Sequence, residues 1–206
     1  MNHRNIREQA TDRLREEILL GNYEAGTTIR EVPLAERYRV SRGPIRDALL
    51  QLSQEGLLEY IPNCGMRVRD VWDAKLIPNM AKMRFELESF ALTEIIADIP
   101  EGFSAAITQN LRMFKLACDD EDITASVHLD LEFHRLLLRE CGHPGLESVW
   151  LPLIGGLRLP YNRHGSLAES SLEHKAIVDA IEAGDSNAAV VALKVNIYQP
   201  FLVEKG

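Results

Sequence analysis

The chain has 206 residues, with 23 Lys and Arg against 31 Asp and Glu, for a formal net charge of −8. That is enough chain for two compact domains. No stretch approaches the ~20 apolar residues of a membrane span, and the polar opening MNHRNIREQA lacks the apolar core of an export signal, so a soluble, cytoplasmic protein is expected. Cys64, Cys118 and Cys141 stand apart with no C-x-x-C pair, which argues against a disulfide framework or a zinc knuckle.

The charge is unevenly divided. Residues 1–70 carry 11 Arg, no Lys and 11 acids, a net of zero; residues 71–206 carry 12 basic and 20 acidic groups, which is the whole excess. An all-Arg leading segment can present a basic face while its acids point elsewhere, although zero net charge argues against tight non-specific binding of a polyanion by one copy.

In chain order, Ile6 to Leu20 reads as a helix with Ala10, Leu14 and Ile18 on one face, ended at Gly21. Its Arg7, Arg13 and Arg15 read as solvated, with phosphate contact as the other option. A turn over Gly26-Thr27-Thr28 leads to a short helix with Leu34, Ala35 and Tyr38 on one side, then a turn at Arg39-Val40. Ser41 is expected to cap the next helix, and Pro44 is tolerated in its first turn because no N–H is needed there. Ile45, Ala48, Leu49 and Leu52 form its buried stripe. Arg42 and Arg46 share a second line near its N-terminal end, where a recognition helix meets base edges and phosphates. A guanidinium suits both targets, since its planar fork can make two bonds to guanine or to a phosphate. The alternative for this pair is a solvated surface role beside Asp47 or Glu36. Two extended runs, Leu57 to Ile61 and Met66 to Arg69, joined by Pro-Asn-Cys-Gly, make a β-hairpin wing. Val71-Trp72-Asp73 is a connector, giving expected domains at 1–71 and 75–206.

From Lys75 the pattern is helical, at about 75–98, 101–118, 122–141, 144–160, 167–183 and 186–203, with breaks at Pro100, Asp119-Asp120, Gly142, Gly165 and Gly184-Asp185. The expected fold is therefore mainly α, a winged helix-turn-helix followed by a six-helix antiparallel bundle. There is no Gly-rich phosphate loop. On the 122–141 helix Glu132, Arg135 and Arg139 share one side, while Asp130 and His134 lie opposite among Phe133, Leu137, Leu131 and Leu138. Four apart on one face, a carboxylate and an imidazole can share a metal ion. His174 lines up with Ile177, Val178 and Ile181, and Asn196 sits among Ala189, Ala192 and Leu193. Each can also be a hydrogen-bonded core residue.

SRGPIRDAL over Ser41–Leu49, preceded by Gly21, Gly26 and Ile29 and followed by L-x-x-E-G-L (Leu52–Leu57) and the turn Pro62–Gly65, resembles the winged helix of GntR-type transcription regulators. That resemblance implies operator contacts from Ser41, Arg42 and Arg46, with Asn63 and Gly65 in a wing near the minor groove. The second part is similar to the FCD effector domain of FadR-type members: Arg84, Leu87 and Glu88; Asp130 and His134; Glu173 and His174; Ala180, Ile181, Gly184 and Asp185. Six helices instead of seven resemble the shorter, VanR-like branch. The resemblance implies a homodimer in which one Asp and three His hold a divalent ion, of zinc or nickel type, beneath a pocket for a small carboxylate. Here Asn196 stands where the third His would fall, which makes for a weaker neutral ligand. Arg84 is expected either to pair with the effector carboxylate or to pair with Glu88 along its own helix.

The function expected is a DNA-binding regulator, not an enzyme, whose operator affinity a small organic acid modulates. One alternative is a constitutive DNA-binding dimer with a vestigial pocket. The other is a metal-dependent enzyme fused to a DNA-binding module, which lacks an evident further acid or base.

Overall fold

A computed structural model describes residues 5–70, 72–157 and 167–202. The chain divides into two compact units, one running through Asp73 together with the end of the seventh helix from Ile154, the other made of the remaining chain.

In the first unit, α1 (Ile6–Leu19) starts at Asn5, whose side chain accepts from Arg7 N at 3.0 Å while Glu8 accepts from Asn5 N at 3.1 Å. This reciprocal pairing satisfies donors that the first helical turn leaves open. Ala10, Leu14 and Ile18 are buried against α3 (Arg42–Gln54), which contributes Ile45, Ala48, Leu49 and Leu52. Between them, α2 (Glu31–Tyr38) ends at Arg39 in the left-handed region, φ 56°, which turns the chain into α3.

The sheet has three strands, β1 (Thr28–Ile29), β2 (Leu58–Ile61) and β3 (Gly65–Val68), in the order β1-β3-β2 and antiparallel throughout. The hairpin β2–β3 is the expected wing. β1 falls where the sequence suggests only a turn; at two residues it is too short to show alternation, and its pairing with Arg67 and Met66 comes from the fold.

Arg15 differs from its expected solvated role. It is buried and donates to Glu55 through Nε and Nη2, both at 2.8 Å, and to Asp12 at 2.5 Å. A buried guanidinium needs such partners, and Glu55 arrives from the end of α3, forty residues away. Also in this unit, Trp72 N donates to Gly156 O at 2.8 Å, and a Cβ on Gly156 would lie 1.9 Å from Trp72 Nε1, so glycine is required for that approach.

The second unit holds α4 (Ile77–Ala97), α5 (Phe103–Asp119), α6 (Ile123–Glu140), α7 (Leu146–Leu157) as far as Leu153, α8 (Leu167–Glu182) and α9 (Ser186–Leu202). These are the six expected helices, and the architecture is mainly α with a small wing sheet. Their starts are set locally: Asp122 accepts from Ala125 N at 3.0 Å and Asp185 from Ala188 N at 2.9 Å. Packing follows a closed circuit, α4 against α6 and α9, α5 against α6 and α8, and α8 against α9. Five helices thus surround one interior, into which Phe103, Ile107, Phe114, Phe133, Leu92, Ile95, Ile177 and Leu193 are buried. Among the described residues no helix is long and apolar enough to cross a membrane.

Candidate functional site

Two sets of residues stand out from this framework. The first is the exposed face of α3. Ser41, Arg42 and Arg46 are all exposed, as the helical spacing requires once Ile45, Ala48 and Leu49 are buried. Ser41 occupies the N-cap position with extended backbone, but its hydroxyl makes no capping hydrogen bond, contrary to the expected cap. The first turn of α3 therefore keeps N–H groups for another acceptor, an arrangement suited to a phosphate oxygen. At the wing tip Asn63 is exposed with φ 64°, and Gly65 pairs with Ile61 at φ 97° to close the hairpin. Both turn positions need the left-handed region, which Asn and Gly tolerate best.

Sequence reasoning did not identify the partner of the two arginines. Glu31, at the first turn of α2, accepts from Arg46 Nε and Nη2, each at 3.0 Å, and from Arg42 Nη2 at 3.5 Å. The bond from Arg46 holds the Glu31 carboxyl below its ordinary range and lifts the Arg46 guanidinium further above its own.

The second set lies inside the circuit of helices. Asp130, His134 and His174 are 6%, 1% and 0% exposed, and they offer ligand atoms that all lie within 4.8 Å of one another. Asp130 Oδ1 is 3.1 Å from His174 Nε2 and 3.9 Å from His134 Nε2. Neither Nε2 atom makes a hydrogen bond, although both are buried. His174 Nδ1 donates to Ser170 O at 2.8 Å, which turns Nε2 toward Asp130. The ring is held between Phe114 and Phe133, with centroids at 4.5 and 4.6 Å. Two buried imidazole Nε2 atoms beside one carboxylate are, with the rings neutral, the donor set a divalent transition metal takes.

Glu88 supports this group. It is fully buried, accepts from Arg84 Nε at 2.6 Å and from Trp150 Nε1 at 2.5 Å, and sets Oε2 2.7 Å from His134 Nδ1. That last contact lies off the line of a hydrogen bond but is close enough for ion pairing. Burial works against ionising Glu88, yet Arg84 and His134 outweigh it and hold the carboxyl down to about 2. Burial likewise opposes the Asp130 charge, and the two histidines again prevail, keeping its carboxyl well below the carboxylate range. The sequence signal for Glu88 was present. The buried stripe of α4 is Ala81, Arg84, Glu88, Ala91, Leu92 and Ile95, so two opposite charges occupy apolar positions.

Of the remaining expected residues, Arg84 is 3% exposed and paired with Glu88, the second of its two anticipated roles. Asn196 is buried on α9, where Nδ2 donates to Glu173 Oε2 at 3.2 Å and lies 3.4 Å from His174 Nδ1. It therefore touches the edge of His174 remote from the Nε2 that faces Asp130. Of the two histidines that could substitute for the missing third His, His164 lies outside the described residues, and His128, half-buried on α6, is not grouped with Asp130, His134 and His174.

Comparison with known proteins fits both units. Residues 6–68 match the model of bacterial regulatory proteins of the gntR family, and residues 79–198 match the FCD domain. An uncharacterised HTH-type transcriptional regulator of Bacillus subtilis, YdhC, is 30% identical over 187 residues, covering 88% of this chain and 83% of that protein. The gluconate operon transcriptional repressor of the same organism is 28% identical over 137 residues, 66% of this chain and 56% of the repressor. Among solved structures, Escherichia coli McbR/YncC superposes with a TM-score of 0.78 at 20% identity, over 97% of this chain and 96% of that one, which is a likeness of fold. With both motifs matched in order and nearly the whole length aligned, the chain belongs to the GntR family of DNA-binding transcriptional regulators and carries an FCD domain.

Proposed function

We propose that this regulator binds operator DNA as a cytoplasmic homodimer and changes its operator affinity when a small carboxylate binds in the FCD domain over a divalent metal ion. In this reading residues 1–71 form the DNA-binding domain and 75–206 the effector-binding and dimerisation domain. Ser41, Arg42 and Arg46 contact the operator from α3, and Asn63 and Gly65 contact it from the wing. Asp130, His134 and His174 hold the metal. Asn196, the fourth ligand the resemblance implies, lies beside the far edge of His174, its nitrogen donates to Glu173, and its neutral amide oxygen would bind less strongly than imidazole, so it contributes least to the donor set.

The carrying observation is the pair of buried Nε2 atoms beside Asp130 that find no hydrogen bond. A bound cation of zinc or nickel type supplies positive charge there for a carboxylate oxygen. Glu88 orients His134 through Nδ1 and Ser170 orients His174, so the ligands are preset by groups behind them. Arg84 is the proposed carboxylate partner, which requires it to share or exchange Glu88. A relative named for the gluconate operon agrees with a carboxylate effector class. The two domain arrangements must differ in affinity for that ligand, and a coupling of about 1–3 kcal/mol suffices for a switch.

Asn196 favours a second reading, a constitutive DNA-binding dimer whose pocket is vestigial. Metal analysis of protein purified without chelators separates the two. The proposal expects about one zinc or nickel per chain, lost in Asp130→Ala and His174→Ala, and a thermal shift with small organic acids that Arg84→Ala abolishes. Metal-free protein indifferent to every acid leaves the constitutive reading. Operator titration with Arg42→Ala and Arg46→Ala tests the front face, and unchanged affinity in both would remove it.

A further inference from the structure

The first unit solves an electrostatic problem that its composition raises. A DNA-binding face needs cations, yet the cations of this unit are matched one for one by acids. The partners are specific: Glu55 takes Arg15, Glu17 takes Arg13 and Arg37, and Glu59 takes Arg67 across the wing. Most of these acids tie elements of the unit to one another. Glu31 also joins two elements, α2 and α3, but the arginines it holds are the two on the exposed face of α3. Its side chain is 28% exposed, against 63% and 58% for Arg42 and Arg46, so water reaches all three.

How Glu31 holds Arg46 matters. The carboxylate takes one N–H from Nε and one from Nη2 in a two-pronged bond. A guanidinium has five N–H groups, so the two on Nη1 and the second on Nη2 remain available, and they form another two-pronged edge. Glu31 therefore cancels the charge of Arg46 without using all its directional donors. A phosphate responds mainly to charge, whereas guanine O6 and N7 require two donors at fixed spacing. An arginine restrained in this way loses general attraction to the backbone and keeps its ability to read a base edge.

We propose that Glu31 is a specificity-determining residue of the DNA-binding face, a built-in counter-charge that suppresses binding to arbitrary duplexes while presetting the Arg46 fork for base contact. The proposal rests on the reading that Arg42 and Arg46 face DNA, and it adds a role for a residue that need not touch DNA at all. Hydrogen bonding to Arg46 keeps Glu31 ionised well below neutrality, so the counter-charge is present under all physiological conditions.

The test uses the full-length protein, a duplex selected by it from a random pool, and a scrambled duplex of equal length and composition. Affinities are measured across a salt series for wild type, Glu31→Ala, Glu31→Gln, Arg46→Ala and the double variant Glu31→Ala/Arg46→Ala. Removing one negative charge from the face should raise affinity for the scrambled duplex about tenfold at ~0.1 M salt and steepen its salt dependence by about one counterion. Affinity for the selected duplex should rise less or fall, so the selected-to-scrambled ratio drops in both Glu31 variants. In the Arg46→Ala background the gain should shrink to what Arg42 alone accounts for. If Arg46→Ala weakens selected binding but the Glu31 variants leave the ratio unchanged or raise it, the role of Glu31 is overturned and the DNA face stands. If Arg46→Ala changes neither duplex, the DNA face itself is misassigned, and the proposal falls with it.

Discussion

Both units pair carboxylates with cations, but in opposite solvents. On α3, Glu31 meets Arg46 and Arg42 in water, where the pairing contributes little to stability and salt screens it. Inside the helical circuit, Glu88 meets Arg84, His134 and the Trp150 indole with almost no access to water. There each partner is obligatory, because a buried charge without one is far more costly than an exposed one. The same chemistry thus makes an exchangeable contact in one place and a fixed support in the other.

The largest effect that could break this contrast is at Glu88. Glu88→Ala should leave Arg84 buried without its carboxylate and the Trp150 indole without its acceptor, destabilising the protein by about 3–5 kcal/mol. Chemical denaturation measures it, and a loss comparable to that of an exposed pair would erase the distinction. Arg15→Ala sharpens it, because Arg15 and Glu55 are buried in the DNA-binding unit and should follow the interior rule despite their location. We expect about 3 kcal/mol, the low end of that range, since Glu55 keeps Gln51 as a donor at 3.0 Å.

The smallest effect lies between the two extremes, at Glu147. It is half-buried, burial opposes its charge, and Arg135 and Arg139 nonetheless hold its carboxyl below the ordinary range. A lowered folded-state value means that the stabilisation is complete above the unfolded carboxyl value and is lost as pH falls toward the folded one. Glu147→Gln should therefore lower stability by no more than about 1 kcal/mol near neutrality and flatten the fall in stability below about pH 4.5. Paired pH melts of wild type and variant check both the sign and the window.

What the sequence made legible follows the range of each interaction. Ile45, Ala48, Leu49 and Leu52 lie three and four apart, and all four are buried as their spacing requires. The same rule sent Asp130, His134 and His174 inward from two helices, because a polar residue on an apolar stripe cannot avoid the interior. Partners are another matter. Glu31 is fifteen residues from Arg46, Arg15 is forty from Glu55 and Glu88 is sixty-two from Trp150. No helical or strand period connects such positions, so only the fold could pair them. Ser41 shows a subtler limit, since its identity marked the helix start correctly while its hydroxyl took no part in capping.

His174 has one further consequence. Its ring is packed against the rings of Phe114 and Phe133 and anchored at Nδ1 to the carbonyl one turn earlier on its own helix. Swinging the imidazole alone would open a void on one side and a collision on the other, in an interior packed as tightly as a crystal. The position of His174 is therefore tied to that of α8 as a whole, and through it to the packing of α8 on α5 and α9, more than to the freedom of a single side chain.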